Sequence, residues 1–429
     1  MWNWCDCLRP ARFLPILMAA ILILGPPLQA QPRPAYRIQL DTITKGLEGQ
    51  PYDGKKCYTQ ARAGIVPRGG GKPRIVVTMS PLLLTGSDVY YELHEMRSDD
   101  LGITWTGPIK HLDTLGRRPG GMLNGKPVEL ACGDFWPKWH AKSGMLLGTG
   151  HTVAYVDDKA PVKNFMIAPA YSVYDAEKGT WSRWTTLELP EGKLGQACGA
   201  GCCQRVDLPD GTILLPVYHR EKDSPFARST VLRCSFDGVK LGVLEIGATI
   251  RRDCKRGLPE PSLAVFKGTY YLTLREEDAG FVAVSKDGLR FGDLKKWTWD
   301  DGADLGTYNT QAHWVTHSDA LYLVYTRKGA NNDHVFRHRA PLFIAEVDTQ
   351  KLHVKRATER ILIPEKGARY GNFGVCHVSE KETWVVETEW MQRPPAEFVI
   401  PVKNKWGAEA RVYAARIIWD RPNLNWDRN

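Results

Sequence analysis

Nowhere in the 429 residues do five or six like charges follow one another, so the net charge of +9 is dispersed among acidic residues. That dispersal argues against a nucleic-acid partner, although a mild positive balance helps attract an acidic small substrate. Methionine is scarce (8), while glycine (40) and tryptophan (15) are plentiful, a balance that favours turns and aromatic-rich strands over a helical bundle. Beyond the first 30 residues no apolar run approaches the roughly 20 residues a spanning helix needs, which excludes a stable membrane span in the mature chain. Around Cys198-x3-Cys202-Cys203 no histidine follows at ligand spacing, so no metal site is expected there. A calcium or other structural ion finds no ligand-spaced cluster either, and no cofactor is expected.

What is present begins with a leader. Arg9 and Arg12 precede the apolar run 13–24 and the helix-breaking segment 25–30, the three parts of a secretory signal. Cleavage after Ala30 is predicted, giving a secreted or periplasmic protein with one domain over 31–429. Eight cysteines would remain, an even number that permits disulfides in an oxidising compartment.

A turn followed by an apolar strand recurs six times, at 71–79, 143–151, 210–218, 267–275, 318–326 and 381–389. The last five copies start 51 to 67 positions apart, room for one four-stranded sheet each. One such sheet cannot bury both faces alone, so the copies should pack radially as blades. A second motif, Ser98-Asp-Asp100-Leu-Gly102-Ile-Thr104-Trp105, fits S-x-D-x-G-x-T-W, with shorter forms at Ser285, Ser235 and Asp175. Here Asp accepts backbone N–H bonds, Gly supplies positive φ and the ring packs between sheets, so Asp100, Asp287 and Trp105 are structural.

Across residues 57–390 these features resemble the sialidase superfamily, whose members are six-bladed β-propellers carrying Asp-boxes. The resemblance implies an all-β fold and an exo-acting glycoside hydrolase for terminal acidic sugars of glycans. It also implies three arginines around the substrate carboxylate, a tyrosine nucleophile with its glutamate, and an aspartate acid/base. Arg62 in Arg62-Ala-Gly-Ile-Val-Pro67 corresponds to the first arginine. Glu260-Pro-Ser-Leu and Leu274-Arg275 correspond to the glutamate and the second arginine. Arg337-His-Arg339 offers two candidates for the third, of which Arg339 is preferred. Tyr370-Gly-Asn-Phe-Gly resembles the nucleophile segment, with Glu387 or Glu389 as the supporting glutamate. The acid/base position departs from the pattern: Thr78-Met79-Ser80-Pro81 stands there, and Asp88 is the nearby carboxylate.

Guanidinium groups suit a sugar carboxylate because each donates two parallel bonds and stays charged. A neutral tyrosine approaches an anionic sugar without the repulsion a carboxylate nucleophile meets. Two other classes stay open. His151, Tyr218 and His219 end repeat strands, and His313, His334 and His338 lie close in sequence; such groups serve a uronate-directed polysaccharide lyase or a related glycosidase. A non-catalytic glycan-binding propeller would instead stack sugars on Trp136, Trp139, Trp314, Trp384 or Trp390.

Overall fold

The computed structural model describes residues 34–426, apart from 70, 87, 160–161, 163–166, 223 and 394–398. The predicted leader lies outside the described residues. Among those described, no helix is long and apolar enough to cross a membrane.

Six small antiparallel sheets form a six-bladed β-propeller. Blade 1 runs Lys56–Val66, Arg74–Leu83, His94–Ser98, Thr106–Lys110. Blade 2 is built on Lys126–His140, Met145–Tyr155 and Pro169–Asp175. In blade 3 two short segments, Gln196–Gly199 and Val206–Asp207, share the innermost place beside Ile213–Arg220. Blades 4 and 5 begin with Ser262–Phe266 and His313–Thr316. Blade 6 joins Gly374–Ser379, Glu382–Thr388 and Arg411–Trp419 to Tyr36–Lys45, so the first strand of the described chain completes the last sheet. That pairing ties the two ends of the ring together. Each of the six repeated turn-strand segments supplies the second strand of one blade.

Those second strands are buried on both faces because neighbouring sheets cover them. Leu321, Leu323 and Val324 are fully buried, as are Ile75, Val76 and Val77. Such side chains contribute roughly 1.5–3 kcal/mol each. The tryptophans occupy the seams: Trp314 packs against Trp297, and Trp384 lies 6.3 Å from Trp105. Trp136, Trp314, Trp384 and Trp390 are all buried, which removes them from the sugar-stacking role. At the rim, Ser98 Oγ accepts the Gly102 N–H (2.8 Å), and Asp100 Oδ1 accepts the Thr104 N–H (2.9 Å). Gly102 takes φ +81°, as the motif demands. The eight cysteines of the described chain are free thiols, seven of them buried.

Candidate active site

Within or close to the innermost strand of every blade stands a residue of positive φ that takes part in the site. These are Gln60 (φ 60°), Asp134 (51°), Cys202 (61°), Glu260 (56°), Asn309 (45°) and Gly371 (108°). Five of the six carry a Cβ. Such backbone strain persists only where the surroundings enforce it and concentrates at functional sites. Because antiparallel pairing puts the end of a second strand beside the start of the first, His151, Tyr218 and Arg275 arrive at the same end of the axis.

Side chains link these entry points across blades. Gln60 Oε1 accepts the Asp134 N–H at 2.8 Å. Asp134 Oδ1 accepts from Arg62 (3.1 Å) and from the Cys202 thiol (2.7 Å). Cys202 Sγ in turn accepts from Arg62 and from Gln311, whose amide also reaches Asn372. Arg275 donates to Glu260, to Asn309 Oδ1 (3.0 Å) and to Gln311. Gly201 lets its loop pass this close, since a Cβ there would collide with His151 Nδ1 and Asp134. Arg62 lies above Trp136, which contacts His313, which contacts Phe373; these rings close the floor.

Above that floor stand four guanidiniums, Arg275, Arg337, Arg339 and Arg369. Burial, then Arg275, Arg369 and Arg337, press Arg339 well below the ordinary guanidinium range. Its Nη2 donates to the Asn309 carbonyl, while its buried Nε has no partner. Arg369 stacks 3.5 Å over Trp390, donates to Gln392, and also has a buried Nε without a partner. Among the described residues only Arg275 of the four forms an ion pair, with Glu260. Burial opposes the charge of Glu260, but Arg275, Arg256 and Arg339 hold it below the ordinary carboxylate range.

The expected groups are thus partly brought together. Arg275, Arg337 and Arg339 converge, but Arg62 is fully buried in the floor beside Asp134 and shares Cys202 as a neighbour with Arg275. Asp88, at φ 55°, lies within electrostatic reach of Arg337, Arg369 and His151, and accepts the Tyr90 hydroxyl at 3.1 Å. Tyr370 is not placed as a nucleophile: it is 1% exposed in a hydrophobic cluster, and its hydroxyl donates to the Pro364 carbonyl at 2.8 Å. Its partner expectations change with it. Glu389 is taken up by Tyr413 and the N–H groups of Glu409 and Arg411, so it does not reach substrate space. Glu387 instead faces Arg62 and Arg339 and accepts the Gly371 N–H at 2.5 Å; burial raises its carboxyl to about 7.

Of the alternative group, Tyr218 and His151 belong to the site, with the hydroxyl 3.4 Å from Nδ1. Burial lifts Tyr218 well above the phenol range, Glu260 adding most to it, and burial lowers His151. A neutral imidazole therefore faces a neutral phenol. His219 points the other way along its strand, to Thr230 at 3.0 Å, and burial lowers it to about 4. His334 stacks on Trp406 and His338 meets Tyr308, both apart from His313 in the floor. Sequence reading missed Asp134, Arg369, Asn309 and Gln311. Arg369 adjoins Tyr370, so a search of that segment for cations as well as hydroxyls would have found it.

A cavity of about 290 Å³ lies beyond the floor among Trp136, Lys138, Trp139, Arg205, Asp207 and His377. It contains none of the four clustered arginines.

No protein-family model matches the chain, and no curated protein matches it. Solved structures do share its fold. The Trypanosoma rangeli sialidase superposes with a TM-score of 0.53 at 15% identity, covering 88% of this chain and 59% of its own. The NanB sialidase from Streptococcus pneumoniae gives 0.53 at 11%, covering 90% and 71%. A Penicillium chrysogenum alpha-L-arabinanase complexed with arabinobiose gives 0.53 at 11%, covering 90% and 99%. The chain spans about three fifths of the length of the Trypanosoma rangeli enzyme, and at these identities the likeness is one of fold: a sialidase-like six-bladed propeller.

Proposed function

We propose that the protein is an exported, exo-acting glycoside hydrolase that binds the anionic group of a terminal sugar, sialic-acid-like in charge placement. The observation that carries this reading is the cluster of buried Arg275, Arg339 and Arg369 with half-buried Arg337, which holds one carboxylate partner among the described residues. Buried charge of one sign is costly without a counter-ion, and a sugar carboxylate supplies one with matching planar geometry. Glycosidase-fold neighbours support carbohydrate as the substrate class.

In this reading Arg275, Arg337, Arg339 and Arg369 bind the anion, and Arg62 holds Asp134 and Cys202 in place. The tyrosine role passes from Tyr370 to Tyr218, whose proton moves to neutral His151 or to Glu260. This reading assigns leaving-group protonation, typically worth 10²- to 10⁴-fold, to Asp88 or Asp134. The chemistry asks for no cofactor.

The test is a panel of sialoside, uronoside and arabinoside reporters against the wild type and Arg339→Met. Release of a free acidic sugar, with kcat/KM at least about tenfold lower in the variant, supports the proposal. Preference for the neutral arabinoside, unchanged by Arg339→Met, overturns it. A second reading, β-elimination on a uronate chain, is favoured by the His151–Tyr218 contact; it would yield unsaturated uronate absorbance in place of a hydrolysed sugar.

A further inference from the structure

Outside the arginine cluster, the buried carboxylate of Glu276 leaves one oxygen without a hydrogen bond. Glu276 follows Arg275 at the end of its strand and is 2% exposed. Its Oε2 accepts the Asp278 N–H at 3.3 Å, while Oε1 is buried without a partner. The backbone that carries it is fixed, because its N–H donates to the Ala279 carbonyl and its own carbonyl accepts the Asn309 N–H at 2.8 Å. An orphaned, buried carboxylate oxygen calls for a proton or a cation.

The cation's other ligands are already beside it. Cys254, half-buried on the loop between blades 3 and 4, and Asp278, exposed at the hairpin turn, each place one ligand atom within 4.8 Å of the other and of Glu276. Lys255 Nζ stands 3.9 Å from Asp278, too far for a hydrogen bond that would satisfy the group. Bonds of roughly 2.0–2.3 Å to a tetrahedral ion put ligand atoms less than about 4 Å apart. The three groups therefore need to close by about 1 Å around a metal, a movement open to Cys254 and Asp278 because both lie on loops.

We infer that Cys254, Glu276 and Asp278 form a divalent-metal site of zinc type, with water in the fourth position. The donor set selects the ion. A thiolate disfavours calcium and magnesium, which take oxygen ligands, whereas one sulfur with two carboxylates suits Zn²⁺. Binding releases the Cys254 thiol proton as the S–Zn bond forms. No spacing in the sequence announces the site, since Cys254 lies 22 positions before Glu276 and only the propeller brings the two loops together.

The site also has a place in the architecture. Its Cys254 loop delivers Glu260, and its Glu276–Asp278 turn continues from Arg275, so the ion would tie together the two backbone segments that carry the Glu260–Arg275 ion pair. Beside it, Glu277 accepts from Asn309 Nδ2 at 2.7 Å, and Asn309 accepts from Arg275. Metal binding itself does not depend on the proposed glycosidase activity.

The full chain, stripped with a chelator, is titrated with Co²⁺ and then with Zn²⁺. One Co²⁺ per chain with near-ultraviolet thiolate-to-metal absorbance, displaced by Zn²⁺ and absent in Cys254→Ser, is expected. Glu276→Gln should weaken Zn²⁺ at least about tenfold. If Glu276→Gln fails to fold, Asp278→Asn at its exposed side chain gives the same comparison. Failure to bind, or a thiolate band that persists in Cys254→Ser, overturns the site. Because the readout is binding, either outcome leaves the test on reporter glycosides separate.

Discussion

The same innermost strands carry charged groups at both ends of the propeller axis, and the two ends treat them in opposite ways. Beyond the Trp136–His313–Phe373 floor, Arg205 is 3% exposed and fully engaged: it donates to Asp207, to the Leu147 carbonyl at 2.7 Å and to the Lys138 carbonyl at 2.9 Å. Lys138 donates to the Arg205 carbonyl, and His377 sits between Thr316 and Thr383. Above the floor, Arg339 is equally buried, yet its Nε has no partner and the charges that act on it most strongly are other arginines. Burial alone therefore does not mark a functional arginine. What marks it is burial without internal compensation, because folding pressure would otherwise have closed the charge or removed it.

The largest expected effect tests that contrast directly. Arg205→Met leaves the largely enclosed Asp207 without its guanidinium, and also strips donors from two carbonyls. It should lose about 3–5 kcal/mol of stability in a urea titration. Arg339→Met removes a charge that no ion pair among the described residues balances and that three neighbouring guanidiniums oppose, so stability should hold or rise by up to about 2 kcal/mol. An acidic sugar should raise the melting temperature of the wild type and of any Arg205→Met protein that folds, but not that of Arg339→Met. Equal destabilisation by the two substitutions would erase the distinction between the ends.

Two tyrosines sharpen it on the side of chemistry. Tyr218→Phe removes the hydroxyl facing His151 and should lower kcat about 100-fold or more with little change in stability. Tyr370→Phe breaks the bond to the Pro364 carbonyl and should cost about 1 kcal/mol while sparing kcat. The reverse pattern, a stable Tyr370→Phe protein without turnover, would return the nucleophile to Tyr370.

These contrasts also explain what the sequence could disclose. The blades were legible because each repeats a local pattern, a turn followed by a strand buried on both faces, and the Ser98–Trp105 turn closes with hydrogen bonds no more than four residues apart. Glu260, Arg275 and Arg339 were legible through short segments that resemble a known family. The remainder depends on long-range closure. Arg62 meets Asp134 across 72 positions and Cys202 across 140, and no local pattern encodes either distance. Tyr370 was misleading because a tyrosine in the right segment can turn its hydroxyl to either side of the strand, and only packing against Tyr413 and Val385 decides. Asp134 was hidden in the apolar stretch 130–137 of its strand, where a bulge between Gly133 and Trp136 turns it to the axis.

The last prediction concerns Glu387, which lies at the boundary between the two regimes: 1% exposed, accepting N–H bonds from Gly371 and Thr388, and facing Arg62 and Arg339. Its folded carboxyl titrates at about 7 against an ordinary value of 4.5. Between those two values the folded chain holds a proton that the unfolded chain has lost. Stability must therefore fall as pH rises through that window, by at most about 1.4 kcal/mol per pH unit, and level off above 7. Glu387→Gln cannot titrate and should lack this slope, so the stability advantage of the wild type over the variant should shrink from pH 4.5 to pH 8. Occupation of the arginine cluster by an anion should steepen the loss, because the bound charge weakens the pull that Arg339 exerts on the carboxyl. Parallel urea midpoints for the two proteins at pH 4.5, 6 and 8 would show that Glu387 belongs with the self-compensated charges beyond the floor.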